Sequence, residues 1–335
     1  MSLFRESGSE SGSESGSESG SESGSESGSE SGSFSGNRPG GRSPRYAGLL
    51  GGVAKQDRLP LLFQPSVTEF DKSFWAPTLR ATVILNEFIG QNWKDIAVPA
   101  PLYWSDLETM RNEVTYLINL QPLRSQREAE ILDQANNLDG VWRQFLTADS
   151  GRRPATGALI DLALKFAHFV GMHWKRQYKA PRPAQVYPAL MPIVPTPRHP
   201  AYPSGHSLQS HLVRRFLLLA LRSANVPSPL PQVASGLEEP LQFMAERIAA
   251  NREVAGVHFR TDSVASAELA QKLAVWLDGL LKAQPGEFKE LRALISDVRA
   301  EWKGADGNAP PNQMDAIPSF ADQVASAVAK KIGGP

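Results

Sequence analysis

Three short segments between residues 175 and 262 combine cations, histidines and a carboxylate at spacings that could do chemistry. In the first segment Lys175 is followed after six residues by Arg182, and the prolines on either side of Arg182 take the chain out of a helix and into a loop. Both cations can therefore reach the same point at the end of that helix. Taken alone, this segment is better explained by two cations that favour a helix C-terminus.

The second segment runs from Pro203 to His206 and precedes a long helical stretch. Ser204 offers a hydroxyl at an N-cap-like position, and Gly205 permits a close approach of a ligand to the backbone. The N–H groups and the positive dipole end of such a helix N-terminus favour an anion. A serine N-cap beside a partly buried histidine would explain these residues equally well.

The third segment places Arg252 five residues before His258, which in turn precedes Asp262 by one helical turn. A carboxylate at that distance can orient an imidazole and raise its basicity. The alternative for this segment is an ordinary surface pair at i,i+4, worth a few tenths of a kcal/mol.

Together the three segments describe a binding site for one compact, highly charged oxyanion. They supply three cations, which are Lys175, Arg182 and Arg252. They also supply two neutral donors, Ser204 and the N–H of Gly205, and two imidazoles, His206 and His258. Guanidinium groups bind tetrahedral or trigonal-bipyramidal oxygens bidentately and remain charged at any working pH. We therefore expect a small-molecule oxyanion of charge two to three.

The chain around these segments has helical periodicity and little strand-like alternation. An all-α domain with one long Pro-rich loop at residues 181–203 is the predicted architecture. The predicted helices are Phe74–Asn92, Trp104–Ile118, Ser125–Asn136, Asp139–Ala148, Thr156–Tyr178, Ser207–Ala224, Leu237–Ala250, Asp262–Lys282, Glu287–Trp302 and a short one near Phe320–Lys331.

The N-terminal region is predicted to be a tail outside this domain. The unit Ser-Gly-Ser-Glu repeats with a period of four from Glu6 to Gly36, and it offers almost no apolar surface to offset the entropy of ordering. We therefore predict a disordered acidic tail and linker at residues 1–46 and a helical domain at residues 47–335, with its core at about residues 155–282.

Composition narrows the class of protein. The formal net charge is zero, which gives no argument for nucleic-acid binding, and the absence of cysteine excludes disulfides and thiol chemistry. The N-terminus lacks the apolar region of a signal peptide. The apolar stretches Phe216–Leu221 and Gly157–Trp174 are short or carry Asp161 and Lys165, so we expect a soluble, cytoplasmic chain with no membrane span. A homo-oligomer is left open.

As a set, the motifs Lys175-x6-Arg182-Pro183, Pro203-Ser204-Gly205-His206 and Arg252-x5-His258-x3-Asp262 resemble the signature of the type 2 phosphatidic acid phosphatase and vanadium-dependent haloperoxidase superfamily. The resemblance implies a helical bundle with an additional N-terminal helical layer. It also implies roles: His258 bonds the central atom of the oxyanion, His206 acts as acid and base, and the oxygens are held by Lys175, Arg182, Ser204, Gly205 and Arg252.

Two chemistries in this superfamily use such a site. In a haloperoxidase, vanadate is the cofactor, bound to His258, and hydrogen peroxide oxidises a halide there. In a phosphatase no cofactor is needed: His258 attacks the phosphorus of a phosphate ester, Asp262 orients His258, and His206 protonates the leaving alcohol. A third hypothesis is a catalytically silent oxyanion-binding protein, which the presence of both histidines and Asp262 argues against.

The sequence around the motifs favours the haloperoxidase. His199, five residues before Ser204, and Phe259, after His258, resemble that branch, and a histidine at position 199 resembles its bromide-using members. Asn251, where the family usually has serine, and Ser207-Leu208 in place of Ala-Thr depart from the pattern. We therefore predict a bromide-oxidising, vanadium-dependent haloperoxidase, with a soluble phosphatase as the alternative and His199 as the halide-specificity residue.

Overall fold

The computed structural model describes residues 75–101, 106–149, 151–222 and 228–303. These ranges contain α-helices and short 3₁₀ turns and no β-strand, which confirms the predicted all-α class. The α-helices are α1 Pro77–Phe88, α2 Leu107–Leu120, α3 Arg124–Asn136, α4 Leu138–Leu146, α5 Pro154–Tyr178, α6 Pro183–Val186, α7 Gly205–Arg222, α8 Leu230–Val254, α9 Arg260–Ala283 and α10 Lys289–Lys303. The predicted tail at 1–46 and the short helix near Phe320–Lys331 lie outside the described residues.

Helix α7 is the centre of the bundle, and it packs against α5, α8 and α9. Its apolar side chains recur at helical spacing, and most of the helix is buried. On α5, the ring of Phe166 stacks against Phe216 of α7 and against Trp276 of α9, at centroid separations of 6.1 and 6.0 Å. This aromatic cluster fixes the relative positions of the three helices whose ends carry the chemical motifs.

A second apolar cluster joins the N-terminal helices to the same end of the bundle. Leu117, Leu120 and Ile131 of the α2–α3 region are buried with Val254 at the end of α8 and Phe259 before α9. Helices α2 and α3 therefore form the additional N-terminal layer that was expected, and this layer covers the chain from Arg252 to Asp262.

Proline defines several boundaries differently from the prediction. Helix α8 begins at Leu230, seven residues before the predicted start at Leu237, and Pro240 lies inside it. Proline is favoured in the first helical turn because no N–H is needed there, so Pro231 starts this helix and does not interrupt it. The predicted loop at 181–203 also contains the single turn α6 and a 3₁₀ turn at Pro188–Leu190.

The expectation of no membrane span is wrong. The stretch Pro154–Val186, which includes α5, contains an 18-residue window with a mean hydropathy of 1.3, long and apolar enough to cross a membrane. Asp161 and Lys165 do not lower the hydropathy enough to exclude it. In this structure 72% of that window is buried among the other helices. The expected cytoplasmic location rested on the same absence of a membrane span, and it is therefore also wrong.

Candidate oxyanion site

The bundle brings the three motif segments together at the N-terminal end of α7. Lys175, near the end of α5, donates a hydrogen bond from Nζ to the carbonyl of Pro203 at 2.6 Å. The N–H of Ser204 donates to the carbonyl of Asp262 at 3.2 Å. Ser266 of α9 donates from Oγ to the carbonyl of Ser204 at 2.9 Å. The predicted convergence of residues far apart in the sequence is thus present in the structure.

His258 is held from both sides of its ring. Its Nδ1 lies 3.0 Å from Oδ2 of Asp262, and its Nε2 lies 3.0 Å from NH1 of Arg182. A guanidinium only donates and a carboxylate accepts, so this geometry assigns the ring proton to Nδ1 and the lone pair to Nε2. Burial, and then the charge of Arg182, lowers the pKa of His258 well below its usual range. The imidazole is therefore neutral and has a nucleophilic nitrogen facing a cation.

Asp262 is fully buried and has a second partner. Its Oδ2 also accepts a hydrogen bond from the N–H of Phe259 at 3.0 Å, across the first turn of α9. Phe259 itself is 0% exposed within the second apolar cluster. The N-terminus of α9 thus holds the carboxylate in place, and the carboxylate in turn orients His258.

Arg182 joins His258 to His199. Its Nε donates to the carbonyl of His199 at 3.0 Å, and NH1 donates to the carbonyl of Val257 at 2.8 Å. Its NH2 lies 3.0 Å from Nδ1 of His199, which accepts this bond and therefore cannot also donate to the carbonyl of Pro200 at 3.2 Å. Burial, and then the charges of Lys175 and Arg182, lowers the pKa of His199 to about 4. The predicted specificity residue is therefore neutral and adjacent to the site.

Lys175 contributes differently from the expected direct contact to an oxyanion. Its Nζ donates to the carbonyls of Pro200, Ala201 and Pro203 at 2.8, 2.8 and 2.6 Å. An ammonium has three protons, so these bonds use all of them. Burial, and then the charge of Arg182, lowers the pKa of Lys175, whereas the three carbonyl acceptors favour its ammonium form. In this structure Lys175 fixes the loop that enters α7.

Ser204 and Arg252 each provide a donor that has no partner among the residues that the structure describes. Ser204 is 0% exposed and Arg252 is 2% exposed, and the Oγ of the serine and the Nε of the arginine each lack a hydrogen bond. Gly205 follows Ser204 directly, and a Cβ at this position would meet no heavy atom of the described residues within 4 Å. Buried polar groups are rarely left unpaired. Two buried donors without partners, one of them next to open space at a helix N-terminus, fit a ligand with acceptor oxygens.

His206 and Arg252 both contact a residue that the sequence analysis missed. His206 Nε2 lies 3.1 Å from the carbonyl of Gln134 on α3, and NH2 of Arg252 lies 3.4 Å from Oε1 of the same glutamine. Arg252 also donates to the carbonyl of Ile131 at 2.8 Å. Burial, and then the charge of Arg252, lowers the pKa of His206 to about 3, while its bond to the Gln134 carbonyl opposes this shift.

One signal in the sequence could have indicated this face of α3. The buried residues Arg127, Ile131 and Gln134 are spaced i, i+4 and i+7, as on one side of a helix. Two of the three are polar, which is unusual for a buried stripe. Their partners on α8 are not apparent from the sequence, because they are more than a hundred residues away.

Comparisons with known proteins leave the family open. No protein-family model matches the chain, and no curated protein matches it. Among solved structures, the chain is similar to a transmembrane PAP2-type phosphatidylglycerolphosphate phosphatase from Bacillus subtilis. The identity is 18%, the match covers 62% of this chain and 85% of that chain, and the TM-score is 0.32. Membership of the superfamily therefore remains a proposal that rests on the site residues.

Proposed function

We propose that this protein is a phosphatase of the type 2 phosphatidic acid phosphatase superfamily, which hydrolyses phosphate monoesters through His258. The observation that carries the proposal is the state of His258: a neutral, buried imidazole with Nδ1 on Asp262 and its Nε2 lone pair beside Arg182. We place the phosphatase ahead of the haloperoxidase because a neutral imidazole oriented by a carboxylate can itself act as the nucleophile in phosphoryl transfer.

Binding of the ester would use the donors that lack partners. The Oγ of Ser204 and the Nε of Arg252 are available for phosphate oxygens, with the N–H groups at the start of α7. Arg182 would exchange its contact with Nε2 of His258 for a phosphate oxygen. These groups would stabilise the charge on the equatorial oxygens of the transition state.

The first chemical step forms a bond between Nε2 of His258 and phosphorus and breaks the bond from phosphorus to the ester oxygen. The proton on Nδ1 stays hydrogen-bonded to Asp262, which stabilises the positive charge that develops on the ring. His206 gives a proton to the leaving alkoxide. The low pKa of His206 requires the dianionic substrate to offset the nearby charge of Arg252 before His206 can carry that proton.

The second step returns the enzyme to its starting state. His206, now neutral, accepts a proton from water, and the hydroxide attacks phosphorus as the phosphorus–nitrogen bond to His258 breaks. The products are inorganic phosphate and the alcohol, and the two histidines regain their initial protonation. No oxidant, reductant or cofactor enters this balance.

A second candidate is the vanadium-dependent haloperoxidase, which His199 favours. The ring of His199 contacts Arg182 next to the oxyanion donors, the position expected of a halide-specificity residue. The unpaired donors of Ser204 and Arg252 fit vanadate as they fit phosphate, because both are tetrahedral oxyanions. Bound vanadate would supply peroxide activation, and His258 would hold it.

One titration separates these candidates. The purified full chain is assayed for phosphate release from p-nitrophenyl phosphate and from a lipid phosphate in mixed micelles, because α5 is also a candidate membrane helix. The same preparation is loaded with orthovanadate and assayed for peroxide-dependent bromination of an organic acceptor. We expect phosphate release that orthovanadate inhibits. Bromination without phosphate release would replace the proposal by the second candidate, and orthovanadate binding without turnover would indicate a silent oxyanion-binding protein.

A further inference from the structure

The last turn of α3 contacts the site through Gln134, which is 1% exposed. Its main-chain carbonyl accepts a hydrogen bond from Nε2 of His206 at 3.1 Å. Its side-chain Oε1 accepts from Asn251 at 3.0 Å and from Arg252 at 3.4 Å. One residue of the N-terminal layer thus contacts both the acid–base histidine and an oxyanion-binding arginine.

The orientation of the Gln134 amide is determined by its partners. Its Nε2 donates to Oε1 of Glu130 at 2.9 Å, and Glu130 pairs with Arg247 of α8 through contacts of 2.8 and 3.1 Å. A carboxylate accepts and a guanidinium donates, so only one orientation satisfies both Glu130 and Arg252. The Gln134 amide therefore links the partly exposed ion pair of Glu130 and Arg247 to the buried guanidinium of Arg252.

A second contact between the same helices supports the arrangement. Arg127 of α3 donates from NH1 to Oδ1 of Asn251 at 3.1 Å, and Asn251 donates in turn to Gln134. Asn251 occupies the position where the resembled family usually has serine. The amide accepts from Arg127 at its oxygen and donates to Gln134 at its nitrogen, two roles that a hydroxyl would combine on one atom.

The main-chain contact determines the tautomer of His206. A carbonyl only accepts, so Nε2 of His206 must carry a proton, and Nδ1 is the nitrogen left to exchange protons with a substrate. The carbonyl lies in the last turn of α3, where carbonyls lack helical partners and the helix dipole favours a cation. This contact therefore opposes the effect of burial and of Arg252 on the pKa of His206.

We infer that Gln134 is a positioning residue for the oxyanion site: its carbonyl fixes the tautomer of His206, and its side-chain amide fixes Arg252 so that the arginine Nε stays available to the oxyanion. The kinetic part of this inference rests on the proposed phosphatase function. The binding and spectroscopic parts do not require turnover.

The test compares Gln134→Leu and Gln134→Glu with Gln126→Leu and Gln126→Glu. Gln126 lies on the exposed face of the same helix and contributes nothing to the site, so it is the matched control. Orthovanadate affinity is measured by tryptophan fluorescence, and the tautomer of His206 is read from its ¹⁵N chemical shifts. We expect Gln134→Leu to weaken orthovanadate binding about 10-fold, the effect of one charge-assisted hydrogen bond.

The glutamate variant adds a pH signature. A carboxylate at position 134 would compete with orthovanadate for Arg252 once it ionises, so its affinity should fall more at pH 8 than at pH 5.5. A merely structural role would lower the midpoint of unfolding without changing this pH dependence. If Gln134→Leu fails to fold, Gln134→Glu carries the binding test, because it keeps the size and shape of the side chain.

The outcomes distinguish this inference from the proposed function. Wild-type protein that binds orthovanadate but releases no phosphate contradicts the phosphatase and leaves the inference testable. Affinity within two-fold of wild type in both Gln134 variants overturns the inference for the side-chain amide. The main-chain part is decided by the wild-type shifts, with or without orthovanadate binding: a proton on Nε2 of His206 that stays there in Gln134→Leu, which keeps the carbonyl, supports the inference, and a proton on Nδ1 of the neutral ring overturns it.

Discussion

His258 and Asp262 are joined by a hydrogen bond of 3.0 Å that spans the first turn of α9. Both side chains are buried, and the aspartate is fully enclosed. The bond holds a neutral imidazole in the tautomer whose other nitrogen, Nε2, faces the guanidinium of Arg182. The helix start between the two residues fixes their distance, so the reactive geometry is part of the fold.

Replacing Asp262 with Asn should separate orientation from binding. The amide keeps the size of the side chain but can present an N–H to Nδ1 of His258, which would favour the other tautomer. We expect kcat for phosphate release to fall by roughly 10²- to 10⁴-fold, the range seen when a histidine loses its orienting carboxylate. Orthovanadate affinity should change much less. Asp278→Asn, at a partly exposed position of the same helix, is the control, and an equal loss there would contradict the assignment.

His258→Ala should abolish phosphate release while the protein remains folded. Removing a nucleophile costs roughly 10⁴-fold or more in kcat, because the oxyanion donors alone retain little catalysis. His211→Ala is the matched control, since His211 is also a buried histidine and lies on α7 beyond the motif residues. Circular dichroism checks the fold of both. Unchanged turnover in His258→Ala would exclude a phosphohistidine mechanism.

Ser204→Ala should weaken binding without weakening the fold. The Oγ of Ser204 is buried and unpartnered, so its removal eliminates a polar group that costs free energy in the folded protein. We expect the free energy of unfolding to stay the same or rise by about 1 kcal/mol, and orthovanadate affinity to fall about 5- to 10-fold.

Ser207→Ala provides the opposite pattern for comparison. The Oγ of Ser207 donates to the carbonyl of Ser263 at 2.9 Å, so its loss should lower the free energy of unfolding by about 1 kcal/mol. Its effect on orthovanadate affinity should be small. If Ser204→Ala and Ser207→Ala lower the free energy of unfolding equally, the hydroxyl of Ser204 has a hydrogen-bond partner in the free protein and is not available to a ligand.

The sequence predicted the helical class and the convergence of the motifs because both depend on local signals. Helical periodicity and the proline breaks locate α5, α7 and α9, and these helix ends carry the motif residues. Which donors have partners could not be predicted, because that depends on the distances between elements. Lys175 looked like a direct oxyanion ligand, yet its three protons go to loop carbonyls.

Two other features depended on packing that the sequence does not encode locally. Gln134 belongs to a polar stretch that reads as a solvated helix face, and its burial follows from the docking of α3 on α8. The candidate membrane helix was missed because Asp161 and Lys165 were taken as decisive. In the structure Asp161 pairs with Arg143 at 2.5 Å, so a charge within an apolar helix is compensated by a neighbouring helix.

Glu253, next to Arg252 in the sequence, should make the stability of the protein depend on pH. It is buried, and burial raises its pKa to about 7, while its bond from the hydroxyl of Tyr116 at 3.0 Å partly opposes this. The charge of Arg260 lowers its pKa and that of Glu113 raises it. A carboxyl with an unfolded pKa of about 4.3 and a higher folded pKa binds more protons in the folded state between these values. Its contribution to stability is therefore lost as pH rises from about 4.3 to about 7.

Glu253→Gln should remove this pH dependence. At pH 5 the glutamine resembles the protonated acid, so the variant and the wild type should unfold at similar urea concentrations. At pH 8 the wild type carries the cost of a buried carboxylate, and we expect the variant to be more stable by roughly 2–3 kcal/mol. The control for the loss of one charge is Glu239→Gln, at an exposed position on the same helix. His258 and His206 have lowered pKa values, so their contribution to stability rises with pH, opposite to that of Glu253. This contribution is the same in the wild type and in both glutamine variants. The difference between variant and wild type therefore isolates Glu253, and a difference that does not grow between pH 5 and pH 8 would show that Glu253 is ionised throughout that range.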